Sequence, residues 1–90
     1  MTHEELEKFK EKLLETTTFP TVYMFKLIVP SDNRSIALGE NLFGAEADIH
    51  TKESDKGKYT SITAKQVVVS VEEILDVYKK AAEIKGAMLL

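Results

Sequence analysis

Histidine is the side chain most often recruited as a general base or metal ligand, and the chain carries two, His3 and His50. They fall on different predicted elements, and no further ligands stand at the fixed spacing that a zinc site requires. Asp48 precedes His50 by two residues, and in a strand this spacing puts both on one face, where a surface ion pair is the plainer account. Asn33 and Arg34 form a second constellation, near the first strand-helix connection, to be weighed as a phosphoryl site. The glycine-rich cradle that would wrap the phosphate is absent, Pro30 removes one backbone donor, and Arg34 is the only arginine in the chain. Asp32 and Asn33 form a third, a pair able to recognise an amine at a strand-to-helix turn.

Polyanion binding has weaker support. Twelve basic and fifteen acidic residues give a net charge of -3 with the signs interleaved, so no broad positive field gathers nucleic acid. Lys52, Lys56 and Lys58 cluster, but Glu53 and Asp55 dilute them. Base stacking on an open sheet face would need exposed aromatics, and only Tyr59 has the right placement. Cysteine is absent, which excludes disulfides, a thiolate nucleophile and cysteine-ligated metal, and fits a reducing, cytoplasmic home. Apolar runs such as Leu27 to Val29 and Val67 to Val69 are far below the roughly 20 residues of a membrane span, and no secretion signal is expected. Ninety residues, 43% of them hydrophobic, suffice for one compact domain.

The elements that must position these residues follow from periodicity. Leu6, Phe9 and Leu13 form one stripe of an amphipathic helix opened by a Thr2/Glu5 capping box and closed by Thr16 to Thr18 and Pro20. Residues 21 to 29 are aromatic or branched except for Met24 and Lys26, and with Lys26 in solvent the alternation sends Tyr23, Phe25, Leu27 and Val29 to the core. Pro30, Ser31 and Asp32 punctuate this strand and cap a second helix, predicted to reach Phe43 with Gly44 as a left-handed stop. Gly39 inside that helix costs about 1 kcal/mol relative to alanine.

Ala45, Ala47, Ile49 and Thr51 then alternate with Glu46, Asp48, His50 and Lys52 as a strand buried on one face. Ser54, Asp55, Lys56 and Gly57 supply a hairpin turn into a long strand from Tyr59 to Val69, with Ile62 and Ala64 inward and Ser61, Thr63 and Lys65 outward. Ser70 and Glu73 repeat the capping-box spacing ahead of a third helix, ended by Gly86, and residues 87 to 90 form a final strand. After the first helix the order is strand, helix, strand, strand, helix, strand. This predicts an α+β, ferredoxin-like βαββαβ sandwich over residues 19 to 90, with an extra N-terminal amphipathic helix over residues 1 to 18 and one sheet face left open.

Two stretches carry a resemblance: Phe19, Pro20 and Thr21 at the first strand, and Lys56, Gly57, Lys58, Tyr59, Thr60 and Ser61 across the hairpin. Between Phe19 and Leu90 the chain resembles the YbeD-like family of small bacterial proteins of uncharacterised function. The resemblance implies a ferredoxin-like fold similar to the amino-acid-binding ACT regulatory domains, and no defined activity. An ACT-like sensor would place its ligand beside Asp32 and Asn33, commonly at a subunit boundary, although the glycine usual at that turn is missing. Some family members lie near lipoate-metabolism genes, which implies at most a loose regulatory association. The same fold also hosts acylphosphatases, the class to which Asn33 and Arg34 would point.

The expected function is a non-enzymatic, intracellular protein-binding or regulatory module. A small-metabolite sensor is the alternative and a small phosphatase-like enzyme a more distant one. No cofactor or metal is expected, and the expected partner is a protein, a second copy of the chain or a small metabolite, with neither nucleic acid nor membrane. The candidate interaction face gathers Met24, Lys26, Ile28, His50 and Tyr59 with Asp48, Ser61, Thr63 and Lys65. Its apolar members are expected to be covered by Leu6, Phe9 and Leu13 of the N-terminal helix, or by another chain.

Overall fold

Seven elements succeed one another in the computed structural model, which describes residues 2–54 and 56–90: α1 (His3–Thr16), β1 (Thr21–Pro30), α2 (Asn33–Glu40), β2 (Asp48–Glu53), β3 (Tyr59–Val68), α3 (Val71–Ala81) and β4 (Met88–Leu89). The sheet order is β2-β3-β1-β4, and every neighbouring pair is antiparallel. The long central pair sets the register, with Phe25 opposite Ala64, Leu27 opposite Ile62 and Val29 opposite Thr60. All six of these side chains are buried, so period two alone assigns the inner face of the sheet.

That face meets three helices in two adjoining clusters. Phe25, Ala64 and Val68 pack with Val71, Ile74, Leu75 and Tyr78 of α3 and with Leu13 of α1. Leu27, Val29 and Ile62 pack with Ala81 and Ile84, while Leu42, Phe43, Ile49 and Leu89 touch both groups. Phe9 stands edge-on to Tyr78 with ring centroids 5.2 Å apart, and the Tyr78 hydroxyl meets that of Tyr23 at 3.2 Å. Burial first, and then the Tyr23 contact, pushes the Tyr78 hydroxyl well above its usual range.

The capping box at Thr2 and Glu5 forms in both directions, each bond 3.1 Å long. At α3 the box is altered. The Ser70 hydroxyl accepts from Glu73 N–H, but the Glu73 carboxylate reaches Val69 N–H, one residue further back than a closed box would take it. Gly57 has φ +67 and turns the hairpin as expected, whereas Asp55 of the same turn lies outside the described residues.

Four expectations are corrected. The third helix ends at Ala81 with Ala82 as its cap, and Gly86, at positive φ, lies beyond it. The second helix stops at Glu40 with Asn41 as its cap, and Gly44 does not adopt positive φ; Leu42 and Phe43 lie past the helix end and pack on both core clusters. Strand β2 begins at Asp48 instead of Ala45, since Ala47 N–H turns back to the Gly44 carbonyl. The N-terminal helix docks within its own chain but on the helical layer beside α3. Leu6, Phe9 and Leu13 therefore cover the core and leave the open sheet face uncovered. Among the described residues no helix is long and apolar enough to cross a membrane.

Candidate interaction face

The side chains that β1 and β3 turn away from the helices alternate with the buried ones. β1 presents Val22, Met24, Lys26 and Ile28, and β3 presents Tyr59, Ser61, Thr63, Lys65 and Val67. β2 adds Asp48, His50 and Lys52 through its pairing with Lys65, Thr63 and Ser61. β4 adds Met88 opposite Ile28, and Leu90 follows, its N–H donating to the Lys26 carbonyl. The structure thus brings Met24, Lys26, Ile28, His50 and Tyr59 together on one surface.

Its polarity is zoned. Lys26, Thr63, His50, Asp48 and Lys65 cross the middle, and His50 Nε2 lies 3.1 Å from Asp48 Oδ1 as an exposed ion pair when protonated. Apolar groups flank this belt. At one end Val22 stands opposite Val67, 64% and 63% exposed, beside Met24 at 56%. At the other, Ile28, Tyr59 and Met88 line a shallow depression of about 450 Å³ together with Lys52, Glu53, Ser54 and Ser61. The alternation of β1 already carried Val22, which shares the parity of Met24. Met88 and Leu90 needed the β1–β4 register, which no local pattern announces.

Asp32, Asn33 and Arg34 lie elsewhere, just past the end of β1. Asp32 caps α2: Oδ1 accepts from Ser35 N–H at 2.7 Å and Oδ2 from the Ser35 hydroxyl at 2.9 Å. The Ser35 N–H above all, and then its hydroxyl, hold the Asp32 carboxyl below the usual carboxylate range. Asn33 opens the helix in an exposed position. Asp32 and Arg34, with Leu38, Glu83 and Lys85, line a hollow of about 590 Å³ between α2 and the turn ahead of β4. His3 sits at the start of α1, on an element that packs on the opposite side of the sheet from His50. Among the described residues no three His, Asp or Glu side chains converge in a way that could hold a metal ion.

An open-faced four-stranded sheet backed by helices is the class of protein these observations define. The family described as "Protein of unknown function (DUF493)" matches residues 14–90. UPF0250 proteins of Shewanella halifaxensis and Shewanella piezotolerans are each 32% identical over 79 residues, covering 83% of this chain and 90% of the relative. The chain belongs to this DUF493, YbeD-like family of small uncharacterised bacterial proteins. No solved structure matches it significantly.

Proposed function

We propose that the chain is a non-enzymatic, cytoplasmic protein-binding or regulatory module, built as a ferredoxin-like sandwich, with the open sheet face as its binding surface. The order β2-β3-β1-β4 supports the fold reading, because two split βαβ halves interleave in this way with β1 and β3 central. The binding reading rests on one observation. Val22, Met24, Tyr59, Val67, Met88 and Leu90 remain in water on one face although the chain's own amphipathic helix packs elsewhere. Exposed apolar groups gathered on one face are the mark of an interaction surface. The non-enzymatic reading draws support from how the polar candidates are engaged, with Asp32 capping a helix and His50 beside Asp48 in open solvent.

The hollow at Asp32 and Arg34 keeps the metabolite-sensor reading as a second one, since its volume suits a small molecule. A comparison of three tagged proteins separates the readings: the native chain, a Met24→Glu/Met88→Glu variant and an Arg34→Ala variant. A partner recovered from the protein's own cells by the native and Arg34→Ala chains, but lost with the face variant, is the expected result. A thermal-shift screen against amino acids, nucleotides and lipoyl-type acids provides the contrast, because a binder well above its dissociation constant raises the melting temperature. Stabilisation abolished by Arg34→Ala, with partner recovery indifferent to the face variant, would favour the sensor.

A further inference from the structure

Strand β2 is an edge strand whose outer rim is vacant among the described residues. The Ser54 N–H donates to the Tyr59 carbonyl at 2.8 Å, in register with the β2–β3 pairing. The even-numbered residues of β2 therefore turn their backbone groups to β3, and Ile49, Thr51 and Glu53 turn theirs outward. Thr51 is exposed although it shares the parity of Ile49, which packs on the helical side, so no helix overhangs this part of the rim. An edge of this kind is a template for another strand unless its side chains forbid it.

The order of residues along β2 selects that strand. Asp48, Ile49, His50, Thr51 and Lys52 run from a negative to a positive end about His50. When this segment pairs antiparallel with itself about His50, Asp48 stands opposite Lys52 of the second copy and Lys52 opposite its Asp48. Ile49 stands opposite Thr51 in both directions. The backbone parity agrees, since Ile49 and Thr51 are the outward-facing residues and this register makes them the doubly hydrogen-bonded pairs. Shifting the register by two residues one way would set Ile49 against Glu53 and Lys52 against His50, and shifting it the other way would set Asp48 against His50 and carry Lys52 past the end of the second strand, so both shifts lose the Asp48–Lys52 pairs.

We infer that the chain forms a two-fold dimer through antiparallel β2–β2 pairing centred on His50, which joins the two sheets into one of eight strands. Opposite charges directly across an antiparallel pair attract and like charges repel, so the same Asp and Lys that deter a general strand admit a second copy. The two open faces become one continuous surface with both His50 side chains at its centre. The inference does not depend on what the face binds.

Sedimentation of the full chain across a concentration series tests it. The native chain is expected to pass from monomer to dimer, with weaker association at high salt because the ion pairs are exposed. Asp48→Lys and Lys52→Asp, each presenting like charges across the axis, should weaken the dimer by roughly tenfold or more. Mixing those two variants should restore association, because each Lys then meets an Asp, and native far-ultraviolet circular dichroism of the separate variants excludes misfolding as the cause. A native chain that stays monomeric up to its solubility limit overturns the inference. So does a dimer that neither single variant weakens, or one that mixing fails to restore.

Discussion

A Cβ placed on Gly39 would stand 2.5 Å from Cδ1 of Ile62, closer than carbon atoms can approach. Helix α2 thus lies so close on β1 and β3 that a Cβ at this position would force the terminal methyl of Ile62 to shift, and Leu27 and Val29 form the rest of the contact. Gly39→Ala gains about 1 kcal/mol of helix propensity against an overpacking cost of about 1–3 kcal/mol. The variant is expected to be less stable in denaturant titration. Adding Ile62→Val removes the clashing methyl and should recover part of the loss; a Gly39→Ala chain more stable than native would show that α2 can lift from the sheet freely.

The alternation along β3 makes neighbouring positions unequal. Ile62 is fully buried opposite Leu27, whereas Thr63 lies on the open face between Lys26 and His50. Ile62→Asp puts an unpaired charge in the core and should lower stability by more than about 4 kcal/mol, while Thr63→Asp stays within about 0.5 kcal/mol. Equal melting temperatures for the two would contradict the facing of the strand.

Much of this architecture was readable in advance because period two and period 3.6 are imposed by the backbone. Lys26 in solvent dictates the burial of Phe25 and Leu27, and Ser70 dictates where α3 begins. The errors fall where tertiary contact overrides local pattern. Gly39 reads as a helix defect until Ile62 is placed above it, and Leu42 and Phe43 read as helix until they are seen to pack on the core, Phe43 beside Phe25. The stripe of α1 was legible but its docking side was not, because Leu6, Phe9 and Leu13 would suit either face of the sheet. Of the candidate face, Met24, Lys26, Ile28, His50 and Tyr59 came from parity alone, and Met88 and Leu90 only from register.

Consecutive leucines report the docking of α1. Leu13 is 7% exposed within the core cluster and Leu14 is 58% exposed. Leu13→Ala is expected to cost about 2–5 kcal/mol as a cavity in the core, and Leu14→Ala less than about 0.5 kcal/mol. Chemical denaturation of both variants decides the matter. Removal of residues 2 to 16 should destabilise at least as much as Leu13→Ala, and a truncated chain of native stability would mean that α1 is a free arm.

The cap of α2 predicts a dependence on pH. The folded Asp32 carboxyl titrates below the ordinary carboxylate range, chiefly because Ser35 N–H bonds to its charged form. A depressed folded value means that the unfolded chain takes up the proton first as pH falls. The stabilisation from the charge is therefore complete above the unfolded carboxylate value and disappears as pH drops through the folded one. Asp32→Asn keeps an oxygen acceptor for Ser35 N–H but removes the charge, and its amide nitrogen replaces the Oδ2 that accepts from the Ser35 hydroxyl, which must then turn to accept from it. Its melting temperature should lie slightly below native at neutral pH, and the gap should close through the acid range. Glu5, whose carboxyl is lowered mainly by the Thr2 N–H, titrates equally in both chains and cancels from the difference. A gap that persists unchanged to the lowest pH at which the chain remains folded would show that the hydrogen-bond geometry of Asp32, and not its charge, holds the start of α2.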